Sequence, residues 1–173
     1  MQFDAIYIFS QILAFISLIL MIFAYQQKNK PRILKFTLTS DALYAIHYII
    51  LGAWSGVATK IISVIRDFYI VYKGKEIKKI APLMIFICAY VVVSITTFSS
   101  FLSILPLCAS VVYSIGIYNG NEQRMRITTI ICCMLWLIYN ISVFSVAGMM
   151  SDISIAISNV IAYCRYRKSR IKK

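Results

Sequence analysis

Seven apolar stretches, separated by short gaps that hold nearly all the charge, dominate this chain. They run from Ala5 to Ala24, Ile33 to Ala53, Gly56 to Tyr72, Ile80 to Phe98, Leu102 to Tyr118, Ile127 to Ser145 and Gly148 to Cys164. Each approaches the 20 or so residues that a helix needs to cross a bilayer. A soluble domain of this size spends about a quarter of its residues on charge, whereas this chain spends 14% and is 61% hydrophobic. Backbone groups in lipid must be satisfied internally, and no alternation of polarity with period two suggests a barrel. The expectation is an all-α membrane protein with seven transmembrane helices.

The gaps set the orientation. "QQKNKPR", "KGKEIKK", "NGNEQRMR" and the tail "RYRKSRIKK" carry nearly all the Lys and Arg, while "GAWSGVATK", "TTFSS" and "SVAGMMSD" carry one Lys and one Asp. Basic loops stay in the cytoplasm, so the amino terminus lies outside and the carboxyl terminus inside. The first stretch follows "MQFD", without a basic lead or a small-residue cleavage site, and is expected to stay as a helix. The net charge of +12 is spread over short gaps with no soluble domain to present it, which argues against nucleic acid as a partner. The bilayer is the partner that it implies, and the basic tail anchors the topology or touches anionic lipid.

Sliding the chain against itself by about 92 residues reveals an echo. Thr37 meets Thr129, Tyr44 meets Trp136, Gly56 meets Gly148 and Asp67 meets Asn159. With a slip of one residue, Ser10, Ser17 and Tyr25 meet Ser103, Ser110 and Tyr118. The copies begin on the same side of the membrane, so this is a parallel repeat of three helices. The expected organisation is 3+1+3. Residues 1–75 form the first three-helix repeat, 76–98 a linker helix, 99–166 the second repeat and 167–173 a basic cytoplasmic tail.

Ionisable residues inside a membrane are costly and are either functional or paired. Asp41, His47, Arg66 and Asp67 are the set here. Thr37, Asp41, Tyr44 and Tyr48 share one helical face, as do Thr59, Ser63, Arg66 and Asp67, while Ser151, Ser154 and Ser158 form a stripe beside Asn159. Such faces turn inward, away from lipid. Candidate solute-binding residues are Asp67, Asn159, Tyr44, Trp136 and Ser158, and candidate proton or ion-pair residues are Asp41, His47 and Arg66. Counting from the turn near Gly52 at about 1.5 Å per residue puts Asp41 and Arg66 at similar depth. Arg66 is therefore expected to bond Asp41, or Asp67 if it turns the other way, leaving His47 free to face a cavity from the outer half. A second reading stands beside this one: the charges are structural pairs, the serines pack helices, and His47, Tyr44 and Trp136 fill the interior. Pro106 lies within the fifth stretch, where it would let a helix bend, and Gly52, Gly56 and Gly148 suit tight outer turns.

No catalytic motif or phosphate loop is present, so an enzyme is not expected. One histidine and five scattered cysteines suit neither a metal site nor a disulfide framework, and no cofactor is implied.

The stretch "FAYQQKNKPRILKF…IHYIILGAWSGVATKIISVIRDFYIVYKGK" resembles the YgjV-type bacterial inner-membrane proteins. The resemblance rests on Arg32, His47, Leu51, Gly52, Ala53, Gly56 and Arg66, and it implies a multi-pass protein of the bacterial cytoplasmic membrane. The 3+1+3 organisation is also similar to the SWEET and PQ-loop carriers, which move sugars or amino acids by rocking two three-helix bundles. That resemblance implies a pocket lined by an Asn on the third helix of each bundle, the place of Asn159 and, in the first copy, Asp67. The Pro-Gln pair of the PQ-loop group is missing, with Leu105-Pro106-Leu107 present instead. The expected function is a carrier of a small polar solute by alternating access. The alternative is a non-transporting membrane partner, scaffold or regulatory subunit. Association with further copies of the chain is left open.

Overall fold

The computed structural model describes residues 5–73, 80–119 and 122–171. The basic stretch at 74–79, part of that at 119–126, and the last two residues of the tail lie outside the described residues. Within them the chain forms seven α-helices: α1 (Ala5–Gln26), α2 (Lys30–Ile50), α3 (Trp54–Lys73), α4 (Ile80–Thr96), α5 (Leu105–Asn119), α6 (Glu122–Ser142) and α7 (Val146–Ile171). A 3₁₀ turn, Phe101–Ile104, leads into α5.

Among the described residues, four spans are long and apolar enough to cross a membrane: Ala5–Gln26, Phe101–Tyr118, Glu122–Ser142 and Val146–Tyr166. α4 is apolar but shorter. α2 and α3 fall below that apolarity for a physical reason, since they hold Asp41 and His47 on one and Lys60, Arg66 and Asp67 on the other.

The packing is polar inside and apolar outside. Asp41, His47, Arg66, Asp67, Arg126, Asn140 and Asn159 are buried, while Ile8, Phe9, Ile12, Ile16 and Phe23 of α1 and Ile61, Ile65 and Phe68 of α3 are exposed. That distribution fits a lipid surround, where hydrocarbon wets the outer face and polar groups must find partners within. α1 packs on α2, α2 on α3, α3 on α5, α5 on α6, α6 on α7 and α7 on α1, while α4 packs against α3 and α5. Small residues let backbones approach closely. Ser17 Oγ donates to the Ser40 carbonyl at 2.8 Å, and Ser40 Oγ donates back to that of Ser17 at 3.2 Å.

The connections from α2 to α3 and from α6 to α7 share one geometry. After α2, Gly52 adopts φ 67° and the Ala53 N–H reaches the Tyr48 carbonyl. After α6, Phe144 adopts φ 53° and the Ser145 N–H reaches the Asn140 carbonyl. This is a left-handed helix end, at which glycine is the least strained residue. Gly56 and Gly148 serve differently from the turn role expected of them. A Cβ on Gly148 would lie 2.7 Å from Asn140 Oδ1, and one on Gly56 would lie 3.1 Å from the Tyr48 ring, so both permit close packing of helix starts. Pro106 also departs from expectation. α5 begins at Leu105, so the proline sits in a first turn, where its missing N–H breaks no helical bond and no hinge results.

Candidate functional site: a charged cavity between two sets of helices

A cavity of about 70 Å³ lies among α1, α2, α3, α5, α6 and α7. A single water needs about 10–15 Å³ measured this way, so it has room for a few waters or a small solute. Lys60 borders it. Nζ lies 2.6 Å from Asp41 Oδ1, 4.7 Å from the centre of the Trp136 ring and 5.2 Å from that of Tyr44. The ammonium is therefore held by a carboxylate and by the negative faces of two aromatic rings. Tyr48 continues the aromatic wall, stacked on Trp136 at 5.7 Å and on Tyr44 at 5.8 Å.

Arg66 and Asp67 form a second, drier pair. Arg66 Nε and Nη2 each lie 2.8 Å from Asp67 Oδ1. Arg66 Nη1 donates to Tyr90 Oη at 3.0 Å and to Ser114 Oγ at 2.9 Å, and the guanidinium lies over the Tyr113 ring at 5.0 Å. Thr37 Oγ1 donates to Asp67 Oδ2 at 2.9 Å. Side chains from α2, α3, α4 and α5 thus meet on one ion pair, which satisfies buried charge that would otherwise be prohibitive. Arg66 borders the cavity, whereas Asp67 stands behind it, outside the lining.

Asp152 is the third carboxylate. It is 8% exposed and borders the cavity. Asn140 Nδ2 donates to its Oδ2 at 2.7 Å, while Asn140 Oδ1 accepts from Tyr48 Oη at 2.8 Å. Neither of these partners carries a charge.

Hydrogen bonds cross between the two sets of helices at both ends of the bundle. At the Gly52 end, Tyr139 Oη meets Ser55 Oγ at 2.8 Å and accepts the Gly56 N–H at 3.1 Å. There too His47 Nε2 lies 2.8 Å from Ser145 Oγ. At the Lys30 end, Thr129 Oγ1 donates to Tyr25 Oη at 3.0 Å and Tyr25 Oη donates to Tyr113 Oη at 3.3 Å. Gln26 Nε2 donates to Ser158 Oγ at 2.9 Å, Arg126 Nη2 to the Gln27 carbonyl at 3.0 Å, and Lys30 Nζ to the Ile117 carbonyl. Every one of these bonds joins a residue of α1–α3, or of the turns that bound them, to one of α5–α7 or the turn before α7.

The structure brings Asp41, Tyr44, Arg66 and Trp136 to the cavity. It does not bring His47, Asp67, Ser158 or Asn159 into the lining. Arg66 turns to Asp67 and not to Asp41, which Lys60 holds. His47, expected to face the cavity freely, is fully buried and bonded on both sides. Its Nδ1 lies 2.9 Å from the Ser10 carbonyl, which only accepts. A neutral ring with the proton on Nδ1 satisfies both neighbours, since Ser145 Oγ can donate to Nε2 while accepting the Gly148 N–H. Ser158 is engaged by Gln26, and Asn159 Nδ2 donates to the Ile155 carbonyl of its own helix while its Oδ1 has no partner among the described residues. The sequence reading missed Lys60, Asp152, Tyr48 and Asn140 as a group, although the 92-residue offset pairs Lys60 with Asp152 and Tyr48 with Asn140. No cluster of three metal-ligating side chains occurs among the described residues.

A family model described as bacterial inner membrane protein, Imp-YgjV, matches residues 8–170. No curated protein and no solved structure matches the chain. The family match takes in all seven helices and every residue that borders the cavity, and the chain belongs to the Imp-YgjV family of bacterial inner membrane proteins.

Proposed function

We propose that the protein is a small-solute carrier of the bacterial inner membrane, working by alternating access between two parallel three-helix repeats, α1–α3 and α5–α7, with α4 as the link. In this reading the Gly52 end faces outward and the Lys30 end faces the cytoplasm, as the positive-inside rule requires of the basic residues around α2. The observation that carries the reading is the cavity: both sets of helices line it, and the hydrogen bonds towards each end run between the sets. Releasing one end while keeping the other is what alternating access needs. The contact pattern supports the repeat, because exchanging α1–α3 for α5–α7 turns the α3–α5 contact into the α7–α1 contact, and both occur. The matching turns at Gly52 and Phe144 support it too. The Asp67 and Asn159 positions lie outside the lining, so the reading does not rest on the SWEET-type asparagine pair; it rests on Lys60, Asp41, Asp152 and the aromatic wall.

The test is uptake by proteoliposomes offered amino acids, sugars, nucleosides and small amines. At least one class should enter above the rate of protein-free vesicles, and Lys60→Met with Asp41→Asn, which removes both charges of the pair together, should abolish its entry while leaving the chain folded. Folded protein that moves none of them would replace the carrier by a non-transporting partner or regulatory subunit.

A further inference from the structure

The charges around the cavity do not balance. Asp41 is paired with Lys60 and Asp67 with Arg66. Asp152 has an amide as its hydrogen-bond partner and no cation within salt-bridge distance among the described residues. Among the groups that border or back the cavity, three carboxylates stand against two cations, so Asp152 must take up either a proton or a cation there.

The surroundings of Asp152 say which kind of cation fits. An inorganic metal ion would want several oxygen or nitrogen ligands converging on it, and the described residues hold no such cluster. Instead the cavity offers one carboxylate and a wall of aromatic rings, Tyr44, Tyr48 and Trp136. Carboxylate plus ring faces is the environment that recognises ammonium groups. The chain itself demonstrates this, since the Lys60 ammonium already sits on Asp41 against the rings of Tyr44 and Trp136. Under the 92-residue offset Asp152 occupies the place of Lys60 in the other half. One half supplies an ammonium at that position and the other supplies a carboxylate that lacks one.

We propose that the cavity binds a small organic ammonium ion, with Asp152 as its carboxylate partner and the rings of Tyr44, Tyr48 and Trp136 as its walls. The cavity of about 70 Å³ limits the ion to a few heavy atoms. This deepens the carrier reading by naming the class of solute, but binding can be measured without any transport.

The experiment uses the full chain in detergent or nanodiscs, carrying Trp54→Phe. The sequence has two tryptophans, so Trp136 then reports alone, from the cavity wall. Ethylammonium chloride is titrated against sodium chloride at equal ionic strength and against ethanol, its neutral analogue. The expected result is a saturable change in Trp136 fluorescence with ethylammonium only. Asp152→Asn, which retains an acceptor for Asn140, should weaken that binding at least tenfold with an unchanged unfolding temperature, and Asp152→Glu should keep it. Should Asp152→Asn fail to fold, the comparison of ethylammonium with ethanol on the Trp54→Phe chain decides alone. No saturable response to ethylammonium, an equal response to ethanol, or unweakened binding by folded Asp152→Asn would each overturn the proposal. A proton alone at Asp152 gives the first of these outcomes. Saturable binding without uptake by proteoliposomes would overturn the carrier and leave the ammonium site standing. Uptake of another solute class without an ethylammonium response would do the reverse.

Discussion

At Arg66 a guanidinium lies in the interior of a membrane protein with 1% of its side chain exposed; α4 and α5 hold it directly, and α2 holds its partner Asp67. Replacing it with alanine leaves Asp67 as a buried unpaired charge, a loss of about 3–5 kcal/mol. Folded protein recovered from the membrane should fall sharply in Arg66→Ala. Arg66→Met with Asp67→Asn should restore it, whereas Arg66→Ala with Asp41→Asn should not, because Asp41 belongs to Lys60. Rescue by the Asp41 change would contradict the pairing. The sequence placed Arg66 and Asp41 at equal depth and left Arg66 two partners. Depth alone could not choose between them, since the choice depends on Lys60, whose position just after an outer gap made it look like a loop charge. A lysine stem of four carbons lets a residue near a helix start reach the interior, and no periodicity records where such a head group ends.

Among the helices, all seven apolar stretches became helical within a few residues of their expected bounds, because apolar length and segregated charge are properties that sequence states directly. The stretch from Leu102 to Tyr118 is the partial exception. It divides into a 3₁₀ turn and α5, which places Pro106 in a first turn where sequence had put it mid-helix. α4 is held at its buried Tyr90, which bonds Arg66 and Ser63, so a helix with an otherwise lipid-like composition is tied to the ion pair of α3. The orientation proposed for these elements rests on the basic residues of their loops. A reporter that works only in the cytoplasm should give signal when fused after Lys173 and none when fused after Phe98. The reverse pattern would invert the positive-inside assignment, and signal from both would break the count of spans.

Across the whole molecule, the 92-residue offset from which a repeat was expected also pairs residues of the site, in a form easily overlooked. Identical pairs such as Gly56 and Gly148 read as an echo. Lys60 with Asp152 and Tyr48 with Asn140 are unlike pairs, yet Tyr48 and Asn140 bond each other directly. Lys60 and Asp152, like Tyr48 and Asn140, all border the cavity, and they are complementary in chemistry instead of alike. Resemblance between the copies therefore marks Thr37 with Thr129 and Tyr44 with Trp136, which border the cavity, but not the charged and amide pairs beside them. Asp67 and Asn159, which did look like a matched pair, lie outside the lining. The central claim is that the cavity opens in turn to each side of the membrane. Cys133 borders it and is buried, so it can report access once Cys88, Cys108, Cys132 and Cys164 are replaced by alanine. A membrane-impermeant thiol reagent is applied to one face, then the other, of vesicles with uniformly oriented protein. The account predicts that Cys133 is modified from both faces. Modification from one face only, or from neither while the unfolded chain reacts fully, would contradict it.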